Sequence, residues 1–68
     1  MANGYGIGPR KAGGRYFCGY WKQEYDVLSV ADNGRAGWRM TVRWEDGRET
    51  SHCTSWDAAR DRIVSQPV

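Results

Sequence analysis

Along residues 38–45 the apolar side chains Trp38, Met40, Val42 and Trp44 alternate with Arg39, Thr41, Arg43 and Glu45. Successive side chains on a strand project to opposite faces, so this period of two predicts a half-buried β-strand with its tryptophan side inward. The run ends at Asp46-Gly47, a dipeptide suited to a two-residue hairpin turn in which both central positions need positive φ. Residues 48–55 are then expected to return antiparallel. In that register Glu45 faces Arg48, Arg43 faces Thr50, Thr41 faces His52 and Arg39 faces Thr54 on the outward side. On the inward side Trp44 lies opposite Glu49, Val42 opposite Ser51, Met40 opposite Cys53 and Trp38 opposite Ser55, which buries Cys53 against Met40.

The rest of the chain reads less sharply. Tyr25-Asp26-Val27-Leu28-Ser29-Val30-Ala31 has aromatic and β-branched content and runs into the turn signal Asp32-Asn33-Gly34, which predicts a second strand. Phe17 to Trp21 reads as a shorter strand or the approach to one. From Trp56 to Val64 two outcomes stay open. Thr54 followed by Asp57 resembles a capping box, and Ala58-Ala59-Arg60 suit a helical or 3₁₀ turn, while Ile63-Val64 either end that turn or begin a last strand. Pro67 then stops regular structure.

From Ala2 to Gly14 the chain has five glycines, one proline and basic residues, too little apolar surface to offset the entropy of ordering. Residues 1–15 are therefore expected as a flexible basic arm, 16–66 as the ordered domain and 67–68 as a short tail. A chain of 68 residues has room for a single small domain. Short strands with tight turns predict a mainly β protein, most economically a small antiparallel barrel with few exposed edges and a short helical or 3₁₀ turn near the C-terminus.

The stretch Trp38-Arg39-Met40-Thr41-Val42-Arg43-Trp44-Glu45-Asp46-Gly47-Arg48 resembles the central hairpin of SH3-like barrels of the Tudor and KOW type. At the level of strand order the resemblance extends over residues 17–64. The opening Gly-x-Val pattern of many KOW modules is absent. The resemblance implies an SH3-like barrel, and proteins with such barrels commonly bind nucleic acid or peptide tails.

Charge adds a direction. Residues 1–15 hold Arg10, Lys11 and Arg15 with no acid, while the remaining residues hold seven basic and eight acidic side chains. The expected outward row of Arg39, Arg43, Arg48 and His52, together with the arm, suits nucleic acid, DNA or RNA, because arginine pairs with phosphate and stacks on bases. The competing reading is a protein-interaction module. Tyr16, Tyr20, Trp21 and Tyr25 lie outside the hairpin alternation and are candidates for an exposed aromatic rim that docks a peptide or a cationic side chain.

The sequence offers little for catalysis. His52 and Cys53 are adjacent on a predicted strand and project to opposite faces, which excludes a dyad between them. The chain has one histidine, no Gly-x-Ser-x-Gly elbow and no phosphate-binding loop, so no enzyme activity and no cofactor are expected. Cys18 and Cys53 lack Cys-x-x-Cys spacing, which predicts free thiols and no metal site. The N-terminus has neither the charged start nor the apolar stretch of a secretory signal, and no apolar run is long enough to span a bilayer. The expectation is a cytoplasmic monomer or weak dimer.

Overall fold

The computed structural model describes residues 7–32, 38–52 and 55–67, and of Asp32 and His52 the backbone alone. Five strands occur: β1 Arg15–Cys18, β2 Gln23–Asp32, β3 Trp38–Trp44, β4 Glu49–His52 and β5 Arg62–Ser65. All pairings are antiparallel, in a single sheet of order β4-β3-β2-β1-β5. Among the described residues there is no helix, and so none long and apolar enough to cross a membrane.

The alternation in β3 holds. Met40 and Val42 are buried, Trp38 and Trp44 are half-buried against the core, and Arg39 and Arg43 are exposed. The core itself is Tyr16, Tyr25, Val27, Met40 and Val42, from three adjacent strands. Strand β2 accommodates neighbours on both sides by a bulge: Val27 pairs with Val42 and Ser29 with Thr41, leaving Leu28 as the extra residue. A bulge bends its strand and increases the local twist.

The hairpin register differs by one residue from the sequence expectation. Arg43 pairs with Glu49, Val42 with Thr50, Thr41 with Ser51 and Met40 with His52. The turn, instead of two residues, has three, Glu45-Asp46-Gly47, closed by Trp44 N–H to Arg48 O at 2.8 Å and Gly47 N–H to Trp44 O at 2.9 Å. Gly47 adopts φ 93°, but Asp46 has no positive φ, so the mirror-image two-residue turn is ruled out. Instead the Asp46 carboxylate accepts the Arg48 N–H at 3.0 Å, and a glycine in the left-handed region completes the loop. The slip moves Thr50 to the inward side, where Trp44 Nε1 donates to its hydroxyl at 2.8 Å, and puts Glu49 and Ser51 among the outward residues. The expected burial of Cys53 against Met40, and the positions of Cys53 and Thr54, lie outside the described residues.

Two further expectations are corrected. The sheet is open rather than closed into a barrel: β4 and β5 are its edges, each of four residues, and among the described residues nothing pairs them. Ile7 and Trp56, from segments flanking the strands, pack against the core, and Trp56 meets the Tyr16 ring edge-on at 6.2 Å. The second correction is at the C-terminus, where the helical turn is replaced by a single hydrogen-bonded turn. There Asp57 O accepts from Arg60 and Asp61, the Asp57 carboxylate accepts Ala59 N–H at 3.0 Å, and the Asp61 carboxylate accepts Asp57 N–H at 2.9 Å. These side-chain bonds compete with helix propagation, and Ile63-Val64 go to strand β5 beside β1.

Residues 7–14, expected within a flexible arm, are tied to the sheet. Gly13 N–H donates to Val27 O at 2.8 Å and Val27 N–H to Gly14 O at 2.9 Å, which extends the β1–β2 pairing. Tyr16, fully buried, accepts the Lys11 N–H at 2.8 Å and donates to Gln66 Oε1 at 2.6 Å, so one hydroxyl joins both ends of the domain. Arg10 is only 5% exposed. Burying a guanidinium demands replacement of its hydration, and the surroundings supply it: Nε donates to Ile7 O at 2.9 Å, Nη1 to the Tyr25 hydroxyl at 3.3 Å, and the rings of Trp38 and Trp56 flank the cation.

Candidate functional site

Exposed arginines are engaged in local ion pairs, and the register slip sets Arg48 opposite Trp44, on the tryptophan side and out of the predicted outward row. Arg15 meets Glu24 at 2.7 Å and Asp26 at 3.0 Å, Arg43 meets Glu49 at 2.9 Å, and Arg48 meets Asp46 at 2.8 Å. The hydrogen bonds that the Arg15 guanidinium donates to Glu24, then Asp26, raise its pKa above the ordinary value, and the Arg48 N–H holds the Asp46 carboxyl below the usual carboxylate value. Such exposed pairs are screened by solvent and hold only weakly. Arg39 is exposed and donates to Ser51 Oγ at 3.4 Å, and Lys11 is exposed beyond the turn at Arg10. The His52 side chain lies outside the described residues. The predicted arginine row is therefore a face of interleaved charges, because the one-residue slip sets Glu49 where Thr50 was expected.

The predicted aromatic rim divides in two. Tyr16 and Tyr25 are core residues, since their alternate positions on β1 and β2 face the tryptophan side of β3. Tyr20 and Trp21 are 68% and 62% exposed. They sit at the tip of the β1–β2 hairpin, in the loop Gly19-Tyr20-Trp21-Lys22 between the paired residues Cys18 and Gln23.

The loop is clamped at both ends. Lys22 N–H donates to Cys18 O at 2.7 Å, with Lys22 itself at φ 58°, a left-handed conformation uncommon for a residue with a Cβ. Gly19 N–H donates to Asp61 Oδ1 at 3.0 Å, which ties the tip to the turn before β5. The two rings meet edge to face at 4.9 Å and 87° and stand as a ridge.

Each ring of this ridge lines a cavity of its own. On the Tyr20 side a shallow groove of about 600 Å³ is lined by Phe17, Gly19, Tyr20, Lys22, Arg60 and Arg62. It exists because β5 pairs with β1, which sets Arg62 across from Phe17. Three cations and two aromatic rings line it with no carboxylate, although Arg60 has Asp57 at 3.7 Å behind it. On the Trp21 side a smaller cavity of about 270 Å³ is lined by Trp21, Gln23, Trp44, Arg48 and Thr50. The sequence alone did not single out Phe17, Lys22, Arg60 or Arg62. The signal for them was the choice of strand over helix at Ile63-Val64, which decides whether Arg62 comes beside Phe17.

Among the described residues no group of three or more His, Cys, Asp and Glu side chains is placed to hold a metal ion, and Cys18 is a free, half-buried thiol. No protein-family model matches this chain, and neither a curated protein nor a solved structure matches it.

Proposed function

We propose that this chain is a non-catalytic nucleic-acid-binding module whose contact surface is centred on the groove beside the β1–β2 hairpin. The observation that carries the reading is the lining of that groove: Lys22, Arg60 and Arg62 interleaved with Phe17 and Tyr20, with no acid among them. Cations at a groove neutralise phosphates, and aromatic faces stack on bases without regard to sequence. Arg39 and Lys11 are exposed at the end of the sheet away from the hairpin tip, and the weakly held pairs of Arg43 and Arg48 are exchangeable for phosphate at small cost.

The test is a binding titration with a labelled oligonucleotide across a salt series. Three neutralised phosphates give a slope of log affinity against log salt of about −2 to −3. The double variant Lys22→Glu/Arg62→Glu is expected to lose binding, while Arg39→Glu/Arg43→Glu weakens it modestly. Equal affinity of the parent and the Lys22/Arg62 variant overturns the assignment. A second reading, docking of a partner protein on the exposed Tyr20–Trp21 ridge, is favoured by the 62–68% exposure of those rings. It predicts an interaction that salt leaves nearly unchanged.

A further inference from the structure

We infer that the nucleic acid bound here is single-stranded and crosses the Tyr20–Trp21 ridge, with a base seated between Trp21 and Trp44 in the cavity opposite the basic groove. The inference rests on the nucleic-acid reading above and names the form of the ligand and a second subsite for it.

The ridge is the first ground. Two large rings left 68% and 62% exposed at a hairpin tip add little to the core, yet the loop that presents them is fixed by the Lys22–Cys18 and Gly19–Asp61 hydrogen bonds. Lys22 is held in the left-handed region in order to close it, and local strain of this kind costs stability that the surrounding structure must offset. Rigid, pre-placed aromatic faces lose little entropy on binding a planar ligand.

The chemistry of the second cavity is the next ground. Trp21 supplies an exposed ring, Trp44 a half-buried one, and the Trp44 Nε1 to Thr50 Oγ1 bond at 2.8 Å fixes the orientation of that second ring. Gln23 brings an amide with both donor and acceptor capacity to the rim, and Arg48 brings a guanidinium. Flat aromatic walls with a few polar groups at the edge match a nucleobase, which presents π faces and hydrogen-bonding edges together.

The paired rings of the ridge link the two cavities. Tyr20 lines one and Trp21 the other, and the rings touch each other at 4.9 Å. A strand passing over the tip therefore meets Lys22, Arg60 and Arg62 with its phosphates on one side and presents the next base to Trp21 on the other. A duplex keeps its bases stacked on one another and has no face to offer either ring, so the ridge discriminates in favour of unpaired strands. The sign of the lining argues against a cationic peptide, since Lys22, Arg60, Arg62 and Arg48 repel it.

The experiment uses the full chain with four probes at one salt concentration: an oligothymidylate, an abasic oligomer of equal phosphate count, a mixed-sequence duplex, and polyglutamate as an acidic-peptide competitor. The parent is expected to bind the oligothymidylate about tenfold more tightly than the abasic oligomer, and more tightly than the duplex, with quenching of tryptophan emission. Trp21→Ala is expected to abolish that tenfold difference without altering affinity for the abasic oligomer, while Trp21→Phe retains most of it. Because Trp21 lies in an exposed loop, both variants are expected to keep the parent's denaturation midpoint. Equal binding of oligothymidylate, abasic oligomer and duplex overturns the base subsite and leaves the basic-groove reading standing. Displacement by polyglutamate as effective as by oligothymidylate overturns the single-strand inference in favour of an acidic peptide. No binding of any nucleic acid at low salt overturns both readings.

Discussion

The guanidinium of Arg10 lies over the ring of Trp38, 5.1 Å from its centroid. Trp56 flanks it at 5.6 Å, and the Tyr25 hydroxyl and Ile7 carbonyl accept its hydrogen bonds. A residue from the glycine-rich start of the chain thus fills the space beside a small aromatic core.

Arg10 is therefore expected to matter for stability out of proportion to its place in the sequence. A cation over a desolvated aromatic ring contributes about 0.5–2 kcal/mol, and a charged hydrogen bond about 1.5–3 kcal/mol, though the two are not additive. Arg10→Ala should cost about 2 kcal/mol or more, read as a lowered denaturant midpoint at constant slope. Arg10→Lys should recover only part of this, because the ammonium cannot stack as a planar fork does. Lys11→Ala, at an exposed neighbour, should stay within about 0.5 kcal/mol of the parent. Matching effects at the two positions would contradict a docked Arg10.

How much of this was legible beforehand depended on the range of the interaction. The inward face of β3 was readable from Trp38, Met40, Val42 and Trp44, because period two is a local property of the strand. The register was not, since Asp46-Gly47 suits two loop lengths, and the choice was made by the Asp46 carboxylate capping Arg48 N–H. Arg10 resembled a solvated arm residue because its partners Trp38, Trp56 and Tyr25 are distant in sequence. The groove was hidden for the same reason: Phe17 and Arg62 become neighbours only through the β1–β5 pairing.

The register has its own test. Arg43 and Glu49 are paired at 2.9 Å, whereas in the two-residue turn Arg43 faces Thr50. A double-mutant cycle on Arg43→Ala and Glu49→Ala should give a coupling of about 0.2–1 kcal/mol, the range of half-exposed ion pairs, weakening as salt rises. The cycle on Arg43→Ala and Thr50→Ala should give none. Gly47→Ala complements it: no atom lies within 4 Å of an added Cβ, so the cost of φ 93° stands alone, about 1–2 kcal/mol. Coupling with Thr50 in place of Glu49 would restore the other register, and a neutral Gly47→Ala would contradict the left-handed glycine that both turns need.

Asp61 links the hairpin tip to the turn preceding β5, accepting Gly19 N–H at 3.0 Å and Asp57 N–H at 2.9 Å. Asp61→Ala is expected to cost about 1–2 kcal/mol, since two backbone donors lose a charged acceptor. The local signature is more telling than the global one: amide exchange at Gly19 should quicken while exchange in β3 follows the overall loss of stability. Unchanged Gly19 exchange would mean that the tip is held by the Lys22–Cys18 bond alone.

Tyr25 predicts a pH dependence at the alkaline end. Burial pushes its phenol above the ordinary value of 10.0, opposed by the hydrogen bond from Arg10. In the unfolded chain the phenol ionises near the ordinary value, while the folded protein keeps the proton to higher pH. Over that window the unfolded state binds fewer protons, so stability falls as pH rises. The contribution is complete below about pH 10 and is lost as pH climbs through the folded value. Denaturant midpoints should decline from about pH 10 up to the folded value, and the tyrosinate absorbance of the native protein should show a delayed component. Tyr25→Phe should remove the delayed component and flatten the decline, after a fixed loss from the missing Arg10 contact. Persistence of the delayed component in Tyr25→Phe would assign it to another tyrosine and remove Tyr25 from the alkaline limb.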